Sequence, residues 1–222
     1  MSALVVLIST SSFAYEVKRD AEGDAVAWKR NIQFVVNSTL ADELSEPLAV
    51  QAIQSAVEIM GGAAPAVKIS VTSGATGKPG YDPSQALNQN DIIALDDWPY
   101  TDSVLAKTIL TLNAKTNEIV DTDIAFNTEQ FNFRVLDPAA IQKSGNPVHD
   151  IQNTVTHEVG HALGLMHNSS DPAAVMYPSS PAFETSKRQL GRDEKDGLAS
   201  VYTAPLAAEP SIEANTETPA QS

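Results

Sequence analysis

Three histidines and one glutamate lie within eleven residues, at His157, Glu158, His161 and His167. His157 and His161 are four positions apart, so on a helix their imidazoles project from one face and can bind one metal ion. Gly164 can adopt a positive φ, which would end the helix and bring His167 back toward the same point. Three neutral nitrogen ligands suit zinc and leave the fourth tetrahedral position open for water. The spacing therefore predicts a catalytic zinc site and not a closed structural one.

Glu158 is the residue of this motif that could move a proton. Zinc lowers the pKa of a bound water toward about 7, and Glu158 would accept the proton of that water and return it to a leaving amine. This predicts peptide hydrolysis without a covalent intermediate. A solvated carboxylate is the alternative for a lone glutamate on a helix. Two other functions stay open: a non-catalytic zinc-binding envelope or interaction module with the same fold, and a zinc hydrolase of non-peptide amides.

The full spacing, H-E-x-x-H-x-x-G-x-x-H, resembles that of the metzincin zinc metalloproteases. Metzincins also have a methionine in a tight turn beneath the zinc, and Met176, nine residues after His167, stands in the matching run Ala-Val-Met-Tyr-Pro. Within the metzincins the chain is most similar to the matrixins, the matrix metalloprotease group, and especially to their short bacterial members. The similarity extends over about residues 30–203 and includes residues 104–108, 121–124 and 190–202.

The resemblance implies a secreted endopeptidase that holds one catalytic zinc and acts on protein or peptide substrates as a monomer. Its catalytic domain would be α+β, with a twisted mixed five-stranded sheet and about three helices, split by an active-site cleft. Leu105 and Ala106 would pair with an extended substrate as an added edge strand. Tyr177 and Pro178 would begin the wall, extending to Thr185, of the pocket for the side chain after the scissile bond.

The chain departs from the vertebrate members of the family at two positions. Lys107 and Asp123 stand where the resemblance expects histidines of a second, structural zinc, so we expect that zinc to be lost. Asp121 and Asp123 could contribute hard oxygen ligands to a calcium site, although two aspartates in a strand are more often solvated. His149, eight residues before His157, is expected at the surface or behind the metal ligands.

Composition limits the partners and the domain organisation. A net charge of −14 and a pI near 4.5 argue against nucleic acid or an anionic membrane as partner. Residues 1–14 resemble a secretory signal peptide, whose apolar run is too short for a membrane span. Residues 15–204 are expected to form the catalytic domain, and residues 205–222 an acidic disordered tail. These features predict secretion or a location in the cell envelope.

Periodicity predicts the elements that must position the site. Strands are expected at residues 31–37, around Val67 to Val71, at residues 91–95, and as a pair at 105–112 and 118–127. A helix should begin near Pro47 with one apolar stripe that includes Leu48, and Gly61 and Gly62 should end it. The metal-binding helix should run over residues 151–164 with Asp150 as its N-cap, and a final helix from Asp193 to Tyr202.

Overall fold

The computed structural model describes residues 15–37, 47–74, 79–82, 84, 88–141 and 145–203. The expected signal peptide and acidic tail lie outside these residues, as does Ala204. Within them, a five-stranded mixed sheet and three α-helices form the α+β fold that the sequence predicts. None of the described helices is long and apolar enough to cross a membrane.

The sheet has the strand order β2-β1-β3-β5-β4. Its strands are β1 (Ile32–Asn37), β2 (Ile69–Gly74), β3 (Asn90–Leu95), β4 (Ala106–Leu112) and β5 (Ile119–Asn127). Neighbours among β2, β1, β3 and β5 are parallel, whereas β4 pairs with β5 in the antiparallel direction and forms one edge. The turn between β4 and β5 contains no glycine, and Asn117 supplies the left-handed conformation with φ +52°.

Three helices and a small second sheet complete the domain. The helices are α1 (Pro47–Ala63), α2 (Ile151–Ala162) and α3 (Arg192–Val201). A short parallel pair, β6 (Phe133–Arg134) and β7 (His149–Asp150), leads directly into α2. A 3-10 turn, Ser186–Arg188, precedes α3. The sequence patterns predicted neither the small sheet nor the 3-10 turn, because segments of two or three residues contain no periodicity.

One core of buried apolar side chains joins α1, α2, α3 and the sheet. On β3 and β5, Ile92 and Ile124 contribute to this core, whereas Ile93 and Ala125 face a smaller cluster with Trp98. Alternation of side chains along a strand explains this division between the two faces of the sheet. Helix α2, which carries the histidine motif, therefore rests on a fixed surface that β4, β5 and α1 provide.

Several predicted details of the elements are wrong. Leu48 is 62% exposed and is not part of the buried stripe of α1, which instead includes Ala49. The helix also continues through Gly61 and Gly62 to Ala63. Val67 is buried but precedes β2. Glycine lowers helix propensity by only about 1 kcal/mol, which packing of the apolar face outweighs here.

The ends of the other two helices also differ slightly from prediction. Helix α2 stops at Ala162, two residues before the predicted end at Gly164. Helix α3 begins at Arg192, one residue before Asp193, and Tyr202 is its C-cap. Shifts of one or two residues are normal at helix ends.

Candidate active site

The first turn of α2 is fixed by its N-cap. Asp150 accepts a hydrogen bond from the Asn153 main-chain N–H at 2.7 Å, as predicted for the cap, and Arg188 binds the same carboxylate. The cap satisfies one of the free N–H groups of the helix, and the arginine neutralises the buried charge. These contacts therefore fix the position of the first turn of α2 beside the cleft.

The other end of α2 is fixed by hydrogen bonds to its last carbonyl groups. Trp28 Nε1 donates to Ala162 O at 2.8 Å, and the Tyr202 hydroxyl donates to Leu163 O at 3.0 Å. Gly164 then takes φ +90°, and a β-carbon there would lie 2.7 Å from Val26 O. Only glycine fits this turn, because both the backbone conformation and the contact exclude a side chain. The turn returns the chain toward the helix, as the motif predicts.

The structure brings the three histidines of the motif together. Their potential ligand atoms all lie within 4.8 Å of one another. His157 Nδ1 lies 2.7 Å from Val175 O, and His161 Nδ1 lies 2.8 Å from Leu165 O. A carbonyl oxygen only accepts, so each Nδ1 carries the proton and each Nε2 presents its lone pair.

These nitrogen atoms fit a tetrahedral zinc ion. His161 Nε2 and His167 Nε2 are 3.1 Å apart, close to the separation of about 3.3 Å between two ligands that are each 2.0–2.1 Å from a tetrahedral metal. Burial lowers the pKa of His157 to about 3, and it lowers the pKa of His167 in the same direction. Both groups are therefore neutral, the form that binds metal, at neutral pH.

Met176 packs against α2 within the histidine motif. It is buried, and a β-carbon added at Gly160 would lie 2.4 Å from its sulfur. The turn that carries it is held at both main-chain groups: Asn168 N donates to Met176 O at 2.9 Å, and Met176 N donates to Glu194 Oε1 at 3.3 Å. The methionine thus lies against Gly160, the helix position between the histidines that has no side chain, and its role in a turn beneath a zinc stays a prediction.

Glu158 lies in the same cleft and is buried. The hydroxyl of Thr108 on β4 donates to Glu158 Oε2 at 2.6 Å and is 3.1 Å from the main-chain oxygen of the same residue. Burial raises the pKa of the Glu158 carboxyl, whereas His161 and the Thr108 hydrogen bonds oppose that rise. The carboxyl group is therefore not the solvated side chain of the alternative interpretation.

The cleft is a cavity of about 550 Å³ between β4 and α2. Leu105, Ala106 and Pro178 line it together with the three histidines and Glu158. Because β4 is an edge strand of the described sheet, an extended chain could pair with its free side. Tyr177 does not line the cavity; its carbonyl accepts a hydrogen bond from Lys187 Nζ at 3.1 Å.

Lys107 on β4 interacts with a neighbouring acid and an aromatic ring. Its ammonium group forms an ion pair with Asp102 at 2.9 Å and lies 4.6 Å from the centre of the Tyr100 ring. Ala125 is its partner in the β4–β5 register, whereas Asp123 pairs with Ile109. Lys107 and Asp123 are therefore diagonal neighbours on one face of the β4–β5 pair, and the loss of a structural zinc there stays a prediction.

Asp121 and Asp123 on β5 are buried and not solvated. Asp123 accepts hydrogen bonds from Asp91 N at 2.8 Å and Gly80 N at 2.5 Å, but neither carboxylate oxygen of Asp121 has a hydrogen-bond partner among the described residues. Burial, with the nearby charges of Asp123 and Asp91, raises the pKa of Asp121 to about 7, which Arg30 opposes. Burial also raises the pKa of Asp123 to about 6.

Sequence reasoning missed four residues that shape the site. Thr108 contacts Glu158, Glu194 anchors the methionine turn, and Asn153 and Lys187 connect α2 to the segment after Met176. Asn153 Oδ1 accepts from Lys187 N at 2.8 Å, and Asn153 Nδ2 donates to Ser180 Oγ at 2.9 Å. For Asn153 and Glu194, the available signal was a polar residue on a helix face that otherwise packs in the core. His149 was expected at the surface as one option, but it is 8% exposed and lines the cavity.

Comparison with known proteins agrees with the geometry. A sequence model of the matrixin family matches residues 84–203, which is more than half of the chain. Human neutrophil collagenase is 52% identical over 46 residues, which are 21% of this chain and 10% of the collagenase. Metalloendoproteinase 1 of Glycine max is 47% identical over 53 residues, 24% and 17% of the two chains, and human matrix metalloproteinase-16 is 42% identical over 64 residues, 28% and 10%. The matched segments thus span less than a fifth of the length of these relatives.

Proposed function

Because the chain belongs to the matrixin family of zinc metalloproteases, we propose that it is a secreted or cell-envelope zinc endopeptidase. In this proposal, His157, His161 and His167 bind one catalytic zinc, and Glu158 is the general base. Residues 15–204 form the catalytic domain, in agreement with a core that extends from Val26 to Tyr202. Protein or peptide chains are the substrates, and the domain acts as a monomer.

One observation supports this proposal more than any other. Both helical histidines have their Nδ1 protons bound to carbonyl groups, so both Nε2 atoms present a lone pair that a metal can bind, and the buried residue Glu158 lines the same cavity. A site that only stored zinc would not need a buried carboxyl beside its ligands, because burying it carries a desolvation cost. The arrangement therefore favours catalysis over the non-catalytic zinc-binding module.

The residues of the chain have distinct parts in peptide hydrolysis. Bound zinc would supply Lewis-acid polarisation of a carbonyl and a water of lowered pKa. Glu158 takes the proton of the attacking water and delivers it to the leaving nitrogen, while Thr108 holds one carboxyl oxygen in place. The edge of β4 at Leu105 and Ala106 binds the substrate backbone, and Pro178 with the residues after it forms a wall of the cleft.

Calcium is a further ligand that we propose for this domain. Neither oxygen of Asp121, which is buried near Asp123 and Asp91, has a hydrogen-bond partner among the described residues, and hard oxygen donors suit a calcium ion. A bound cation would offset the repulsion that raises the pKa of Asp121. The acidic cluster would therefore stabilise the domain and take no direct part in the reaction.

The test is a comparison of the zinc-loaded protein with Glu158→Gln. Both proteins are incubated with a mixed peptide library, the cut sites are read by mass spectrometry, and zinc is measured after dialysis. We expect one zinc per chain in both, and a rate lower by about 10²- to 10⁴-fold in the variant. Retention of zinc with no cleavage by the native protein would favour a binding module, and cleavage confined to small non-peptide amides would favour the other hydrolase. Near-normal turnover by Glu158→Gln would refute the assigned base.

A further inference from the structure

We propose that Lys187 is a positioning residue that sets how strictly the cleft selects the side chain after the scissile bond. Its buried ammonium holds the wall segment, residues 178–180, in a fixed place relative to the metal-binding helix α2. The inference rests on the proposed peptidase function, because it concerns how that same site chooses among peptides. Lys187 acts through the main chain of the wall and does not itself touch the substrate.

The wall segment has no secondary structure of its own to support it. Residues 178–180 all line the cavity, and two of the three are exposed. None of their main-chain groups bonds another main-chain group of the described residues. The chain on either side is held by Tyr177 N, which donates to Ala174 O at 3.2 Å, and by Glu184 N, which donates to Pro181 O at 3.3 Å. The conformation of the wall therefore depends on the side chains that bind it.

The ammonium group of Lys187 supplies this support. The residue is 1% exposed, and its Nζ donates to Tyr177 O at 3.1 Å and to Ser179 O at 2.5 Å. Nζ also lies 5.6 Å from the centre of the Tyr177 ring, and Glu184 Oε2, at 3.9 Å, balances part of its charge. The two carbonyl groups flank Pro178, so one cation fixes the wall on both sides of this proline. Hydrogen bonds from a charged donor are stronger than those between neutral groups.

The main chain of Lys187 links the same residue to the metal-binding helix. Lys187 N donates to Asn153 Oδ1 at 2.8 Å, and Asn153 Nδ2 donates to Ser180 Oγ at 2.9 Å. Asn153 is buried in the first turn of α2, four residues before His157, so the two side chains project from one face of the helix. One lysine and one amide therefore set the distance between the wall and the first metal ligand.

A fixed wall is what allows a pocket to select side chains by size. A wall that can move adapts to each side chain, and the differences in binding between small and large ones become smaller. Without the ammonium, two carbonyl groups of the wall lose their donor, and the wall is free to move toward solvent. The histidines and Glu158 should keep their positions, because no hydrogen bond joins them to Lys187 among the described residues.

Matched peptides on the zinc-loaded full chain test the proposal. Three peptides differ only in the residue after the scissile bond, which is alanine, leucine or tryptophan. We expect kcat/KM of the native protein to differ by about tenfold or more between the best and the poorest peptide. Lys187→Met keeps the length of the side chain without its donors. In this variant the ratio should fall by about fivefold or more, with one zinc bound and kcat for the best peptide within about threefold of native.

Lys195→Met is the control for the loss of one positive charge. Lys195 lies on α3 and is exposed, so this variant should keep the native ratio of best to poorest peptide. An unchanged ratio in Lys187→Met would overturn the proposal. Equal kcat/KM for all three peptides in the native protein would overturn it as well, because the wall would then select nothing.

Hydrogen exchange separates this inference from the proposed chemistry. The amides of residues 177–184 should exchange about tenfold faster or more in Lys187→Met than in the native protein, whereas those of α2 and all amides of Lys195→Met should be unchanged. Equal exchange of the wall in Lys187→Met and the native protein would refute the positioning role. If the native protein cleaves no peptide, the peptidase function fails, and exchange still decides whether Lys187 holds the wall.

A milder pair of serine variants covers the case in which Lys187→Met does not fold. Ser180→Ala removes the hydroxyl that accepts from Asn153 and donates to Glu184 Oε2 at 2.8 Å. Ser186→Ala is its control, because this exposed hydroxyl donates to the other oxygen of Glu184 at 2.8 Å and does not line the cavity. We expect wall amides to exchange about threefold faster in Ser180→Ala and at the native rate in Ser186→Ala. Native exchange in both variants would contradict the linkage of the wall to α2.

Discussion

Two groups of metal-ligand type, the half-buried to exposed histidines and the buried aspartates, are built in opposite ways. The histidine motif presents three imidazoles, two of which have their second nitrogen bound to a main-chain carbonyl. The acidic cluster on β3 and β5 presents Asp91, Asp121 and Asp123, and both oxygens of Asp121 have no hydrogen-bond partner among the described residues. Two ligands of the first site are already oriented by hydrogen bonds before a metal arrives, whereas Asp121 of the second has no such bond among the described residues.

The difference follows from the charge of the ligand groups. An imidazole can be buried as a neutral group, and burial lowers the pKa of His157 to about 3, which keeps it neutral. A carboxylate resists burial, and burial beside other acids raises the pKa of Asp121 to about 7. Folding therefore preorganises the histidine site at little electrostatic cost, but it leaves the acidic cluster dependent on a proton or a cation.

The largest expected effect comes from removing one ligand of the preorganised site. His161→Ala should lose zinc on dialysis and, with it, essentially all peptide hydrolysis, because two imidazoles hold zinc far more weakly than three. Metal analysis and a peptide assay measure both losses. His149→Ala is the control for metal content, because it removes the one histidine outside the motif and should keep one zinc per chain. Full zinc content in His161→Ala would show that the triad is not the site.

The second prediction tests whether the turn after α2 preorganises the third ligand. Gly164→Ala places a side chain at φ +90° and within 2.7 Å of Val26 O, so the turn must shift and carry His167 with it. We expect at least tenfold weaker zinc binding and a loss of stability of about 2 kcal/mol, seen as a fall of several degrees in Tm.

A second glycine provides the control for that substitution. Gly62 lies within α1, and a β-carbon there has no atom within 4 Å. Gly62→Ala should keep or slightly raise Tm, since alanine favours a helix, and it should leave zinc affinity unchanged. A similar loss of zinc in both variants would mean that the turn does not position His167.

The third prediction concerns the acidic cluster and its dependence on pH. The folded pKa of Asp121, about 7, exceeds the unfolded value near 3.9, so the folded state binds an extra proton between these values. That contribution to stability is present at low pH and is lost as the pH rises from about 4 to 7. Asp121→Asn removes the charge, and without divalent cations it should raise Tm at pH 7.5 by about 5 °C. The difference should shrink at pH 5.

Added calcium should reverse the order of the two Tm values, so that the native protein becomes more stable than Asp121→Asn. At pH 7.5 the native protein should gain stability with added calcium, and Asp121→Asn should gain less, because it lacks one carboxylate ligand. The lowered pKa values of His157 and His167 have the opposite effect on the pH dependence, because they reduce stability as the pH falls below about 6.5. Both proteins share that effect, so it does not change the difference between them. A lower Tm for Asp121→Asn at pH 7.5 without calcium would refute the electrostatic account.

These two regions also show how far sequence reasoning extends. The spacing of the motif predicted the helix, the glycine turn and the convergence of the three imidazoles, because helix geometry and one positive φ determine them locally. Alternation along β5 predicted the strand, yet burial of Asp121 and Asp123 was not expected, since it depends on β3, which lies about thirty residues earlier in the sequence. Contacts between residues that are far apart in the sequence produce no local periodic pattern from which they could be predicted.

The contacts around Glu158 were hidden for the same reason. Thr108 is fifty residues before Glu158 in the sequence, and the packing of α2 against β4 brings the two side chains together. Leu48 shows the opposite error, because its position fits the apolar stripe of α1 although its side chain is exposed. Pattern thus predicts which face of an element is apolar, but not where the tertiary structure covers that face.

The smallest expected effect refines the comparison, because the histidine site also contains one buried carboxyl. Glu158 differs from Asp121 in having a partner, the Thr108 hydroxyl at 2.6 Å. Thr108→Val keeps the shape of the side chain and removes that hydrogen bond, so the carboxyl should lose its fixed orientation while zinc stays bound. We expect a fall of about tenfold in kcat with little change in KM, and substantial recovery in Thr108→Ser, which restores the hydroxyl. Equal activity of the valine and serine variants would show that a buried carboxyl in this cleft needs no partner, and the contrast with Asp121 would then rest on burial alone.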